Sequence, residues 1–154
     1  MTGVQTCALP IFRLSANILK NAMGVGIPGT GMVGLPIAIA LGSLVGKSAY
    51  GLEVLRDLTP EALDEGKRMV DSKSIHISLK ENVDKLYIEI ESRAGDSFSK
   101  VIICHEHTHF VYVEKNGEVL LDERVPVASS VSPAPTMICV FLFLWFMNLL
   151  WKLL

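Results

Sequence analysis

The sequence predicts an α+β protein in which N-terminal helices and a glycine-rich loop lead into an antiparallel β-meander and an apolar C-terminal helix. Three observations carry this. Apolar residues recur with a helical period from Phe12 to Met23 and again after Thr59, with an all-apolar stretch at Leu35 to Val45. From Ile75 the period changes to two, and residues 137–154 are strongly apolar with a single charge, Lys152.

Between Phe12 and Met23, the apolar Phe12, Leu14, Ile18, Leu19, Ala22 and Met23 stand apart from Arg13, Asn17, Lys20 and Asn21, as in a short amphipathic helix. Gly24 to Gly34 (GVGIPGTGMVG) is expected to be irregular because glycine recurs throughout it beside Pro28. Leu35 to Val45 is apolar on every side except at Gly42 and Ser43, which predicts a buried helix with Pro36 in its first turn. Thr59-Pro60-Glu61 marks the next helix: Thr59 caps, Pro60 fits the first helical position and Glu61 faces the positive end of the dipole. Its inward stripe is Ala62, Leu63, Gly66, Met69 and Val70, ending near Asp71.

The strands follow. Ile75, Ile77 and Leu79 alternate with His76, Ser78 and Lys80, and Leu86, Ile88 and Ile90 alternate with Tyr87, Glu89 and Glu91. Further strands are predicted at about 98–104, 109–114 and 118–123, with Asn116-Gly117 as a two-residue type I′ turn.

The 154 residues suffice for one domain, and a net charge of −2 with a pI near 6.1 excludes a nucleic-acid binder that relies on a basic surface. Mean hydropathy is +0.41, yet 26 of the 30 charged residues fall within 53–124, so the apolar excess sits at the ends. No basic residue precedes Arg13, which argues against a secretory leader. Thr2 to Ile11 instead resembles a translated sequencing-library adapter: back-translating these residues can give a common adapter, GTG before it would serve as the start codon for Met1, and the adapter's next base suits Phe12. Residues 1–11 are therefore set apart from the fold. Residues 126–136 read as a linker. The tail 137–154 reads either as a transmembrane helix, with Trp145 and Trp151 near an interface, or as a frameshift product after about Val125.

G-x-G-x-x-G occurs at Gly24/Gly26/Gly29 and at Gly29/Gly31/Gly34, but a dinucleotide site needs a strand before it and a second parallel strand ending in an acid. Glu53 is suitably spaced but lies on no predicted strand, and the Gly-Lys-Ser/Thr ending of a phosphate loop is missing. Two readings stay open: anion binding where the loop opens onto the helix at Leu35, and tight backbone packing. His105, His107 and His109 would share one face of an uninterrupted strand, a possible zinc or iron site, but a turn near Glu106 would scatter them. Exposed strand histidines are the commoner outcome, no metal ligand is assigned, and His76 is expected to face solvent. Cys104 is expected to be a small buried residue; Cys7 and Cys139 belong to the two ends. The central body, with one cysteine, has no internal disulfide partner, which is compatible with a reduced compartment.

The stretch LKNAMGVGIPGTGMVGLPIA (Leu19–Ala38) resembles the serine dehydratase alpha-chain-like family, in the branch known as L-cysteine desulfidase or UPF0597. Gly51-Leu52-Glu53-Val54-Leu55, Thr59-Pro60, Ser78-Leu79-Lys80-Glu81 and His107-Thr108 fall in the same order, so the resemblance spans about Leu14 to Val125. On this resemblance 12–125 is a partial domain, less than a third of a full family chain. It implies a bacterial, cytoplasmic iron–sulfur lyase that eliminates the β-substituent of L-cysteine or L-serine, giving pyruvate, ammonia and sulfide or water. A [4Fe-4S] cluster is implied as Lewis acid, beside a base for the α-proton whose identity is left open. Gly29, Thr30 and Gly31 are implied as a substrate-facing loop, with Lys20, Asn21 and His107 as polar neighbours. The family's cluster cysteines lie outside the stretch represented here, and none of Cys7, Cys104 or Cys139 matches them. The usual glycine-rich lead into His-Thr-Asn is replaced by His105-Glu106 before His107-Thr108-His109.

The leading expectation is thus a lyase fragment without its cluster ligands, inactive alone, with a small amino acid as substrate and no nucleic-acid partner. The alternative is a small membrane-anchored module that binds an anionic metabolite on the glycine loop. A third reading, zinc binding by the three histidines, predicts metal loss on His107→Ala.

Overall fold

The computed structural model describes residues 9–46, 50, 53, 55–106 and 109–124. Among the described residues, eight strands and three helices follow in the order β1 (Leu9–Leu14), α1 (Ala16–Ala22), β2 (Gly26–Ile27), β3 (Met32–Val33), α2 (Leu35–Val45), α3 (Pro60–Asp71), β4 (His76–Leu79), β5 (Tyr87–Ala94), β6 (Ser97–Cys104), β7 (Phe110–Lys115) and β8 (Glu118–Asp122). Six strands form one sheet in the order β4-β1-β5-β6-β7-β8, while β2 and β3 form a separate hairpin. The α+β class expected from the sequence is the observed one.

Period-two alternation divides the large sheet into two chemically different faces. One face presents Phe12 and Leu14 from β1, Ile88 and Ile90 from β5, and Val101 and Ile103 from β6 to the main core. α2 supplies Leu35, Ile37, Ala38, Ile39 and Leu41 to that core, and these side chains are almost wholly buried. A helix apolar on all sides needs cover beyond one sheet face. Part of that cover is α3, whose buried Gly66 lets the helices approach until an added Cβ would stand 2.9 Å from Leu41 Cδ2.

Local chemistry sets the boundaries of α3 and of the last hairpin. Thr59 Oγ1 accepts from Ala62 N at 3.2 Å, and Pro60 opens α3 as the sequence indicates. Asn116 and Gly117 have φ of 50° and 85°, the two positive values that a type I′ turn requires between β7 and β8. β5 to β8 form the expected antiparallel meander.

The N-terminal region differs from the sequence reading in two ways. Phe12 to Leu14 are not the start of an amphipathic helix; they complete β1, which pairs parallel with β4 and antiparallel with β5. The helix begins only after Ser15, whose hydroxyl accepts from Ile18 N and donates to the Lys85 carbonyl oxygen at 2.6 Å. Phe12 and Leu14 gain burial on a strand flanked by partners on both sides, and this outweighs the helical spacing that they share with Ile18 and Leu19. Leu9 to Ile11, the end of the adapter-like stretch, extend the same strand. The second difference is the glycine segment, which is not wholly irregular but contains the β2–β3 hairpin.

Among the described residues, no helix is long and apolar enough to cross a membrane. The linker 126–136 and the tail 137–154 lie outside the described residues.

Candidate functional site

The glycine hairpin is held by one side chain. Thr30 N donates to Ile27 O at 3.2 Å, closing a turn with Pro28 and Gly29 at its centre. Pro28 presets the first central position, and Gly29 takes the positive φ of 78° required at the second position of a type II turn. The Thr30 hydroxyl then works in both directions: Oγ1 donates to Ile27 O at 2.7 Å and accepts from Met32 N at 3.0 Å. Gly31, with φ of 67°, is a second left-handed residue after Thr30, and Gly29 and Gly31 are both exposed at the tip. The base of the hairpin is tied to the helices by Gly34 N donating to Val25 O at 2.9 Å. Gly34 caps α2 at φ 97° and ψ 172°, where an added Cβ would meet the Met23 carbonyl oxygen at 3.1 Å.

Lys20 and Asn21 occupy the last turn of α1, from which the chain passes directly into this hairpin. Among the described residues, neither side chain hydrogen-bonds to Gly29, Thr30 or Gly31. His107 and Thr108 lie outside the described residues. The chain does turn beside them: Glu106 N donates to Cys104 O at 2.8 Å and His109 N to Glu106 O at 3.1 Å. His105 Nδ1 consequently faces Asp84 at 3.3 Å, while His109 Nε2 faces Glu123 at 3.8 Å.

The outer face of the large sheet carries a second arrangement, which residue spacing alone does not reveal because it depends on β1. Glu89, with its side chain 2% exposed, accepts from Arg13 Nη1 at 2.7 Å and Lys100 Nζ at 3.0 Å on Oε1. Its Oε2 accepts from Lys80 Nζ at 2.9 Å and the Tyr87 hydroxyl at 2.8 Å. Glu91 accepts from Arg13 at 2.6 Å and lies 3.4 Å from Lys100 Nζ. Burial pushes the Glu89 carboxyl upward, but hydrogen bonds from Lys80, Lys100 and Tyr87 and the Lys100 charge outweigh it, taking the group down to about 2. Burial and the hydrogen bond to Glu89 push the Tyr87 hydroxyl well above its usual range. Beside this network is a cavity of about 250 Å³, bounded by Lys80, Tyr87, Glu89 and Lys100, with Asn82, Asp84 and His105 on one side and Val83, Ile102, Cys104, Val111 and Arg124 completing it. The strand alternation already puts Glu89 and Glu91 on the polar face; the missing piece is Arg13 on the neighbouring strand.

An iron–sulfur cluster needs several thiolates. Cys104 is buried as expected, and burial together with the Asp84 charge pushes its thiol up to about 11, so it stays protonated at neutral pH. Among the described residues, no group of three or more His, Cys, Asp or Glu side chains is placed to hold a metal ion. These residues do not fit the implied [4Fe-4S] cluster.

Comparison with known proteins adds a strong local likeness. The chain is 78% identical over 116 residues to a UPF0597 protein of Parabacteroides distasonis, covering 75% of this chain and 27% of that protein. These matches support a UPF0597 assignment. A UPF0597 protein of Bacteroides fragilis is 64% identical over 112 residues, covering 72% of this chain and 26% of the relative. One from Porphyromonas gingivalis is 51% identical over 122 residues, covering 79% and 28%. The chain thus spans little more than a quarter of the length of these bacterial UPF0597 relatives. No family model matches the chain. No solved structure matches it.

Proposed function

We propose that this UPF0597 segment is the substrate-loop part of an amino-acid lyase resembling L-cysteine desulfidase and L-serine dehydratase. The reaction takes L-cysteine and water to pyruvate, ammonia and hydrogen sulfide, or L-serine to pyruvate and ammonia. The observation that supports this reading is the Thr30-pinned turn, which holds Gly29 and Gly31 exposed in backbone conformations suited to glycine. Without Cβ atoms, a ligand can approach the main chain closely, and a turn locked by its own hydroxyl needs little reordering on binding. Lys20, Asn21 and His107 are the polar neighbours assigned to the same loop, to orient a small zwitterion. The [4Fe-4S] cluster and its ligands belong, on this reading, to the parts of the relatives beyond the present chain. The location is cytoplasmic.

Two measurements test it. Anaerobic iron–sulfur reconstitution of the 154-residue chain is expected to yield neither a stoichiometric cluster nor sulfide from L-cysteine. Obtaining both would overturn the fragment reading. In a full-length protein containing this segment, Thr30→Val is expected to lower kcat/KM for L-cysteine while Thr30→Ser retains it. Full activity in Thr30→Val would remove the loop from the site.

A further inference from the structure

The hydrogen bonds around Glu89 leave the adjoining cavity with a surplus of donors. Both carboxylate oxygens of Glu89 are occupied, Oε1 by Arg13 and Lys100 and Oε2 by Lys80 and Tyr87. An ammonium has three N–H groups. Lys80 directs one to Glu89, and Lys100 directs one each to Glu89 and Glu91, so both retain donors. Arg124 engages Asp122 through Nε and Nη2, leaving Nη1. Among the charged residues bounding the cavity, Lys80, Lys100 and Arg124 outnumber Asp84 and Glu89, while Glu91 and Asp122, which pair with Lys100 and Arg124, lie outside its boundary. The remaining boundary is partly apolar, with Val83, Ile102 and Val111.

The geometry points to this cavity as a binding site for a small organic carboxylate. The anion meets the unspent N–H groups of Lys80 and Lys100, and a short apolar body lies against Ile102 and Val111. Its volume of about 250 Å³ is that of roughly eight waters at about 30 Å³ each, room for a ligand of a few heavy atoms. Glu89 is the fixed floor of the site: its full set of donors holds the lysines in place, and Asp84, turned toward His105, is the other carboxylate on the boundary. The inference is independent of the glycine hairpin and does not rest on the lyase reading.

The test uses butyrate and its neutral isostere butyramide as probes, titrated into the full 154-residue chain and followed by backbone amide NMR. Butyrate is expected to shift the amides of 80–87 and 104–105 saturably, and butyramide is not. Lys80→Gln, at a side chain that is 40% exposed, is expected to weaken butyrate about fivefold or more, the loss of one charge-assisted hydrogen bond. Equal responses to the two probes, no saturable butyrate shift in those amides, or undiminished binding in a folded Lys80→Gln chain would each overturn the site. The two-probe comparison on the unaltered chain decides the matter even where the variant does not fold.

Discussion

Arg13 on β1 reaches across one strand spacing to Glu89 on β5, Nη1 to Oε1 at 2.7 Å, joining residues 76 positions apart in sequence. The same nitrogen donates to Glu91 at 2.6 Å. Arg13→Met keeps much of the side-chain length and removes both bonds, leaving Glu89 to Lys80, Lys100 and Tyr87. A loss of about 1–3 kcal/mol is expected, read as a lower urea midpoint with an unchanged slope.

Acid should weaken the fold through Glu89. Its native carboxyl lies at about 2, below the unperturbed value of 4.5, so the unfolded chain takes up this proton first as pH falls. The associated stability is present above about pH 5 and disappears as pH drops toward 2. Urea unfolding at stepped pH is expected to show this decline, with a shallower slope in Glu89→Gln. Identical pH profiles for the two proteins would assign the acid sensitivity to other groups.

Gly34 should tolerate no side chain. At φ 97° and ψ 172° it occupies backbone space essentially reserved for glycine, and the Met23 carbonyl oxygen stands 3.1 Å from the position of an added Cβ. Gly34→Ala is expected to cost about 1–3 kcal/mol, measured by thermal or urea unfolding. Gly24→Ala is the comparison, because an added Cβ there meets nothing within 4 Å and its φ is not in the left-handed region.

Thr30→Val replaces the hydroxyl with a methyl and removes the acceptor for Met32 N. Exchange of the Met32 amide hydrogen is expected to quicken about fivefold, the equivalent of one net hydrogen bond of about 1 kcal/mol. Thr30→Ser is expected to restore slow exchange. An unchanged rate in Thr30→Val would mean that the backbone alone holds the turn.

Cys104 should react slowly while the chain is folded, since its thiol is raised to about 11 and the residue is 8% exposed. Peptide mapping after iodoacetamide treatment at pH 8 is expected to find Cys104 unmodified in native protein and modified in urea.

Signals contained within a few neighbouring residues were readable in the sequence. Thr59-Pro60 marked the start of α3, Asn116-Gly117 marked the last hairpin, and the alternation of Leu86, Ile88 and Ile90 with Tyr87, Glu89 and Glu91 identified β5. β1 was not readable: Phe12-Arg13-Leu14 alternates too briefly before Ser15, and Ile18 and Leu19 continue a helix-like period. The polar network was hidden for the same reason, because no local pattern places Arg13 opposite Glu89 until β1 is known to be a strand. The glycine hairpin was half visible. Its residues were evident, but the double role of the Thr30 hydroxyl depends on backbone geometry that spacing does not report.

The position of β1 also bears on the order in which the chain can fold. Its two neighbours in the sheet are supplied by 76–79 and 87–94, long after β1 itself has been synthesised. The β5–β8 meander, by contrast, joins strands adjacent in sequence and closes over short loops. Rapid nucleation therefore belongs to the C-terminal half of the sheet, and insertion of β1 between β4 and β5 is the slow, long-range step. Until that step is complete, Phe12 and Leu14 remain available to whatever other strand edge they meet.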